Sequence, residues 1–216
     1  MALYDGARGL VAEYNWLAGN RHTVELLPAV AQLMAQARLS PRDLTAVGVA
    51  VGPGSFTGLR VGMATAKGLA LAHGLSVVGV STLDVTAYPH QAQPVPVVAL
   101  VQAGRGRAYW APYAHGPAGW AAQAATDLAT AEALAQKIVR ATVFVGEVTP
   151  AFRETLTRFL GRARAHFLPP ALAARRAGHL AELAWERLSA GRWDDPATLS
   201  PIYLQQPDGS LPHGHA

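Results

Sequence analysis

The chain contains no cysteine. That excludes disulfides, thiol nucleophiles and any Cys-ligated zinc or iron–sulfur centre. Charge is also scarce: 15% of the 216 residues are Asp, Glu, Lys or Arg, against 50% that are apolar. Disordered chains show the opposite balance, so a packed core is expected. Lysine is nearly missing, since Lys67 and Lys137 are the only cations among 18 that are not arginine. No apolar run approaches the roughly 20 residues of a membrane span. Met1 to Leu10 has neither the basic leader nor the apolar centre of a secretion signal. A cytoplasmic protein with no membrane contact is expected. The eight histidines form no His-Glu-x-x-His pair or other compact ligand spacing. His213 and His215 stand in a Gly/Pro-rich tail that reads as disordered rather than metal-binding. Trp110, Trp120, Trp185 and Trp193 do not alternate with basic residues as a nucleic-acid stacking platform would. The formal charge is +4, a balance that attracts nucleic acid or an acidic protein when clustered. The arginines form no tight run, so the plain reading is charge spread over solvated faces.

What is present falls into two similar halves. Asp5-Gly6 predicts a hairpin turn joining strands near 2–5 and 9–17. A helix over 22–37 follows; Pro28 costs it a hydrogen bond and predicts a kinked or late first turn. A buried strand over 47–51, a Gly/Pro turn, a helix over 57–73 and a strand over 76–80 complete the half. The stretch Tyr88 to Pro96 carries three prolines and two glutamines and predicts the boundary, giving lobes over 1–92 and 93–216. The second half restarts with a strand over 97–101, a hairpin at Gly104-Arg105-Gly106, and strands over 107–113 and 118–124. Helix 131–140, strand 142–145, helix 150–160, strand 164–168 and helix 171–190 follow. The 150–160 helix has a cap in Thr149, Pro150 at its first position, Phe152, Leu156 and Phe159 on one face, and Gly161 as a stop. Laid side by side, the halves match, except that the first lacks an opening strand. Three antiparallel strands followed by alternating helices and strands, duplicated, is the ribonuclease-H-like pattern of an α/β, actin-like (ASKHA) fold.

The most distinctive segment runs Gly52-Pro53-Gly54-Ser55-Phe56-Thr57-Gly58-Leu59-Arg60 and on through Gly62, Ala66 and Lys67. A buried strand enters a glycine turn and leaves as a helix whose first amides are free. Ser55 or Thr57 can cap them, and such a terminus also attracts anions. No Gly-Lys-Ser/Thr follows at Walker A spacing. Ser55 lacks the flanking glycines of a nucleophile elbow. A structural turn and cap is therefore the expected role of Gly52, Pro53, Gly54, Ser55 and Thr57. Arg60 and Lys67, two turns apart, can meet phosphate or acid, although a solvated pair is the commoner outcome. Gly58, Gly62, Ala66 and Ala70 recur every four residues and form a smooth ridge that another helix can approach. Helix 22–37 has two apolar stripes, Val24, Leu27, Ala31 and Met34 beside Leu26, Val30, Leu33 and Ala37, where a solvent-facing helix needs one. Packing alone leaves two readings open: both helices buried within the subunit, or a partner docked on them.

These residues resemble the signature of the bacterial TsaB (YeaZ) family. The resemblance extends to Arg21-His22-Thr23 with Leu26-Leu27-Pro28, to Val78-Gly79-Val80-Ser81-Thr82-Leu83, and to Pro201-Ile202-Tyr203-Leu204. It implies an actin-like fold and a non-catalytic, cofactor-free scaffold. Such a scaffold binds a TsaD-like catalytic subunit that transfers threonylcarbamoyl to adenosine 37 of tRNAs reading ANN codons. It also implies homodimers, a TsaE-like ATPase as a further partner, and tRNA met through the complex. The partner interface it implies draws on the two helices, with His22, Leu26, Val30, Leu33, Gly58, Gly62, Ala66 and Ala70. On that surface, Gly62→Leu or Ala66→Glu should abolish pairing and leave the subunit folded.

Two departures bear on this expectation. Relatives carry a further strand with an Asp-Thr pair ahead of Leu3-Tyr4, the same gap that the comparison of halves exposes. It predicts a gene start set too late or a truncated chain. Where relatives often have Asp-Ala-Arg-Arg-Gly-Glu, this chain has Gln102-Ala103-Gly104-Arg105-Gly106-Arg107, which removes two carboxylates that metal or general-base chemistry would use. The rival readings are an ATP-binding phosphotransferase or ATPase of the actin/sugar-kinase class, and a peptidase. The first lacks acidic Mg²⁺ ligands, and the second lacks a metal motif and a serine triad.

Overall fold

The computed structural model of the chain describes residues 1–16, 19–117 and 119–203, apart from the side chains of Asn20 and His22. The chain forms two compact units, Met1–Ser81 with Arg176–Ala216, and Thr82–Arg175.

In the first unit β1 (Ala2–Asp5) and β2 (Gly9–Glu13) pair antiparallel, Ala2 opposite Glu13 and Asp5 opposite Gly9, with the register shifting between Leu3 and Tyr4. The Asp5 carboxylate closes the turn by accepting from the amides of Ala7 and Arg8, each at 2.9 Å. Helix α1 (His22–Gln36) follows, and it runs through Pro28 without a break. Strand β3 (Ala46–Gly52), helix α2 (Phe56–His73) and β4 (Ser76–Ser81) form a parallel strand–helix–strand unit, the crossover that parallel pairing demands. Gly74, at φ 65°, stops α2 in the left-handed conformation that glycine adopts without a Cβ clash. No ladder joins β1–β2 to β3–β4 among the described residues.

The second unit opens with a helix that periodicity did not reveal, α3 (Thr82–Ala87). Its sequence, Thr-Leu-Asp-Val-Thr-Ala, is only six residues long and reads more like a strand end. Then come β5 (Val97–Gly104), β6 (Arg107–Gly116), β7 (Gly119–Ala122), the unforeseen β8 (Asp127–Thr130), α4 (Ala131–Lys137), β9 (Thr142–Gly146), α5 (Pro150–Leu160) and β10 (Ala165–Phe167). The strand order is β10-β9-β5-β6-β7, with β8 also on β6. Central β5 runs antiparallel to β6 and parallel to β9. Its Val-Val-Ala-Leu-Val run is 0–1% exposed, as expected of a strand covered on both faces. Val98 and Leu100 join Leu134, Phe144, Phe152 and Leu156 in one core, while α3 also packs on the strand. Thr149 caps α5 by accepting from the Phe152 amide at 3.2 Å. Phe159 does not share the buried face: it is exposed, and Leu160 takes its place in the core.

The expected helix over 171–190 is a 3-10 turn (Pro170–Ala173) followed by α6 (Ala177–Ser189). That helix belongs to the first unit, so neither expected lobe limit coincides with the division observed. It packs on β1, β3 and β4. Gly48 permits the approach, since a Cβ there would fall 2.8 Å from the Cβ of Ala184. The Glu13 carboxylate anchors the helix start, accepting from the Gly178 amide and the Arg176 Nε, each at 2.8 Å. Burial alone would raise the Glu13 pKa, but these donors hold it below the ordinary carboxylate value. Arg187 donates to the Gly79 carbonyl at 2.6 Å, and Asp194 accepts from the Gly79 amide at 2.7 Å. Sequence proximity to the second half hid all of these contacts.

Candidate functional site

The Gly52–Arg60 segment is a clamp for the chain's own C-terminal residues. Gly52 has φ 108°, and a Cβ there would lie 3.0 Å from the Ile202 carbonyl oxygen, so both conformation and space call for glycine. Ile202 donates its amide to the Val51 carbonyl at 2.7 Å. Arg60 donates from Nε to the Tyr203 hydroxyl at 3.0 Å, and its guanidinium lies 3.8 Å from the centre of the Phe56 ring. Phe56 and Tyr203 sit 5.1 Å apart, centre to centre. Two motifs 143 residues apart in the chain thus form one cluster, a relation that their sequence separation conceals. Ser55 is the cap, accepting from the Gly58 amide at 3.3 Å, whereas Thr57 is exposed and caps nothing. Pro53 is buried beside the turn and Gly54 half-buried.

The two helices divide their apolar residues between inside and outside. Leu33, Ala66 and Ala70 are 3–4% exposed, and the two alanines pack with Val49, Val51 and Met63 in the first unit's core. Leu26 and Val30 of α1 and Gly62 of α2 line an apolar gap in the same unit. Gly58 is half-buried against Ser55. His22 opens α1, and its side chain lies outside the described residues. Leu33, Ala66 and Ala70 therefore have no surface to offer a partner. Ala66→Glu would bury a charge and damage the subunit itself, contrary to the sequence expectation. The exposed apolar residues are Val24 (70%) and Leu27 (56%) on α1 and Leu71 (78%) on α2. Ala31 of α1, and Ala64 and Gly68 of α2, are exposed as well. The periodicity contained this stripe, but it could not tell which stripe faces out.

In the second unit, the Gln102–Arg107 hairpin turns through Gly104, Arg105 and Gly106, all at positive φ. Gln102 donates its amide to the Glu147 carboxylate at 2.7 Å and its side-chain nitrogen to the Glu147 carbonyl at 2.6 Å. Arg175 pairs with the same carboxylate at 2.6 Å. A cavity of about 440 Å³ borders these groups, with Arg153 and Leu172 also on its wall. Its single carboxylate is held by an amide and a guanidinium, an arrangement that braces the ends of β5 and β9. Sequence reasoning did not find Glu147, because only the β5–β9 pairing brings it to Gln102. Among the described residues, no three His, Asp or Glu side chains gather into a metal-binding group, and no helix is long and apolar enough to cross a membrane.

A family profile described as TsaD, tRNA N6-adenosine threonylcarbamoyltransferase, matches residues 16–209. TsaB of Escherichia coli K12, described as a tRNA threonylcarbamoyladenosine biosynthesis protein, is 37% identical over 107 residues, 49% of this chain and 46% of that protein. The chain belongs to the TsaB (YeaZ) family. An uncharacterised Mycobacterium tuberculosis H37Rv protein is 34% identical over 193 residues, 87% of this chain and 76% of that one. YeaZ of Pseudomonas aeruginosa has the same α/β fold, with a TM-score of 0.74 at 23% identity, across 94% of this chain and 92% of that one. The matched region spans about half the length of the curated TsaB relatives. Within this TsaB-family fold, the signature turn closes on Ile202 and Tyr203, and Val24, Leu27 and Leu71 of the two helices are exposed.

Proposed function

We propose that the chain is a non-catalytic subunit of the cytoplasmic machinery that makes N6-threonylcarbamoyladenosine at position 37 of tRNAs reading ANN codons. It binds and stabilises a TsaD-like catalytic subunit through the outward faces of α1 and α2. The observation that carries this reading is the exposed apolar set Val24, Leu27 and Leu71, flanked on α2 by the small residues Ala64 and Gly68. Apolar side chains more than half exposed stabilise a complex when a second helix removes their surface from water. The names of the TsaB relatives support the pathway. On the same reading the chain works with a TsaE-like ATPase, pairs with itself when its partner is absent, and meets tRNA through the complex.

The test is co-purification with the TsaD-like subunit of the same organism, using Leu27→Glu combined with Leu71→Glu. Pairing should weaken by about tenfold or more, while the melting temperature of the isolated chain stays put because both side chains already face solvent. Undiminished pairing would exclude this surface. Threonylcarbamoyl transfer by the isolated chain would exclude the scaffold role, and tight ATP binding would favour the kinase-class alternative.

A further inference from the structure

Arginines that look scattered in the sequence meet on one edge of the second unit's sheet. Strands β5, β9 and β10 are parallel neighbours, so all three begin on the same edge. Helices α4 and α5 lead into β9 and β10 and therefore end there. Arg140 stands in the α4–β9 connection, Arg158 in the last turn of α5, and Arg162 and Arg164 in the α5–β10 connection. Thr142 and Ala165, which open β9 and β10, are paired, and the Thr142 amide donates to the Arg164 carbonyl at 2.9 Å. With neighbouring strands about 4.8 Å apart, the two connections form one basic rim.

These arginines differ in what they touch. Arg164 serves the helix ends, donating from Nε to the Leu160 carbonyl at 3.2 Å and from Nη1 to the Ile138 carbonyl at 3.4 Å. Those bonds fix the guanidinium plane without exhausting its donor fork. Among the described residues, no hydrogen bond or ion pair engages the side chains of Arg140, Arg158 or Arg162, and all three are exposed. Glu132 is within reach of the Arg158 charge and Glu154 stands one turn before it on α5, but neither forms an ion pair with it. The opposite edge of the sheet is a contrast. There Arg175 is held by the Glu147 carboxylate at 2.6 Å, while Arg153 donates to the Leu168 carbonyl at 3.5 Å and lies over Phe167. Arginines at that edge brace the fold, whereas the rim keeps three guanidinium groups that no acid neutralises.

Such groups suit the paired oxygens of a phosphate, and several on one rim suit a polyanion. Stacking of bases is not provided for, because Arg158 already lies over the Phe159 ring, 5.3 Å from its centre. We infer that the rim is a direct RNA-backbone contact: Arg140, Arg158 and Arg162, with Arg164 beside them, bind phosphates of the tRNA by charge and shape rather than by base readout. The choice of RNA rests on the threonylcarbamoyladenosine reading, and the contact goes beyond tRNA met only through the catalytic subunit.

The probe is a fluorescently labelled, unmodified tRNA with an ANN-reading anticodon, titrated with the isolated full chain at several KCl concentrations. Binding should be saturable and should weaken steeply with salt. A rim variant carrying Arg140→Gln, Arg158→Gln and Arg162→Gln should bind about tenfold more weakly at low salt. The slope of log Kd against log[KCl] should fall by about 2–3. A control variant carrying Arg8→Gln, Arg42→Gln and Arg192→Gln removes the same charge from exposed positions of the first unit, and its slope should match that of the unaltered chain. Both variants should melt with the unaltered chain, since every altered side chain is exposed. Equal losses in the two variants would mean that net charge alone attracts the RNA, which overturns the inference, as does the absence of saturable binding. Displacement of the tRNA by polyglutamate as readily as by unlabelled tRNA would put an acidic polypeptide on the rim, and it overturns the inference equally. Co-purification with the TsaD-like subunit tests the scaffold reading separately. The rim variant keeps Leu27 and Leu71 and should pair normally, so either proposal can fail while the other stands.

Discussion

The second unit seals its middle strand, with Val97 to Val101 no more than 1% exposed. In the first unit every residue of β1 is half-buried, as are Ala46, Val47 and Gly48 of β3. The second unit thus has one six-stranded sheet with a closed centre, and the first has two separate strand pairs with a seam between them. Charge divides just as unevenly. The second unit holds nine Lys and Arg against five Asp and Glu, while the first holds nine of each, so the whole excess of +4 lies in Thr82–Arg175. The lesson is that burial along a strand depends on its neighbours, and two segments of similar apolar content differ in how much stability they supply.

The largest expected effect that would break this comparison comes from paired truncations. Leu100→Ala, at a fully buried position, should cost about 3 kcal/mol in urea denaturation, and Val47→Ala, beside the seam, about 1 kcal/mol or less. Equal losses would mean that the seam is closed in solution.

A middle-sized effect follows from acid. Burial and then the neighbouring Arg176 charge lower the His179 pKa below 6.5, and Glu13 titrates below its ordinary 4.5. Both groups bind protons less readily in the folded state than in the unfolded one. Stability from His179 is therefore complete above about pH 6.5 and lost as pH falls below it; that from Glu13 is complete above about pH 4.5 and lost below that. Hydrogen exchange in α6, compared with β5, should accelerate selectively as pH falls from 7 to 4. Glu13→Gln should cost about 1–2 kcal/mol at pH 7 and flatten the lower part of that profile. Equal acceleration in β5 would show that acid acts on the whole chain rather than on the helix anchored to the open unit.

The smallest effect concerns the C-terminal clamp. Tyr203→Phe removes the hydroxyl that accepts from Arg60 but keeps the ring against Phe56. It should cost about 0.5 kcal/mol, with faster exchange at the Ile202 amide and no change in β5. A loss as large as that of Leu100→Ala would show that the tail carries the first unit's stability.

Much of the fold was legible because local rules and tertiary outcome agree. Thr149-Pro150 with Gly161 bounded α5 to the residue, and Asp5-Gly6 gave the β1–β2 turn. Ser55 was one of two candidate caps, and geometry selected it over Thr57. Helix α3 and strand β8 were missed since six and four residues are too few for either period to show. The interface reading went astray at Leu33, Ala66 and Ala70, because small and apolar residues at helical spacing suit a core as well as a docking face. Periodicity reports that a stripe exists and says nothing about what covers it.

The sequence by itself determined where most helices and strands lie, which turns need glycine, and the family to which the chain belongs. Those properties follow from short-range sterics, capping and hydrophobic period, all of which act within a few residues. Only the tertiary structure decided that α6 returns to the first unit, that Tyr203 closes on Arg60, and that Glu147 meets Gln102. Each of these depends on contacts between residues far apart in the chain, and no local preference encodes such a distance.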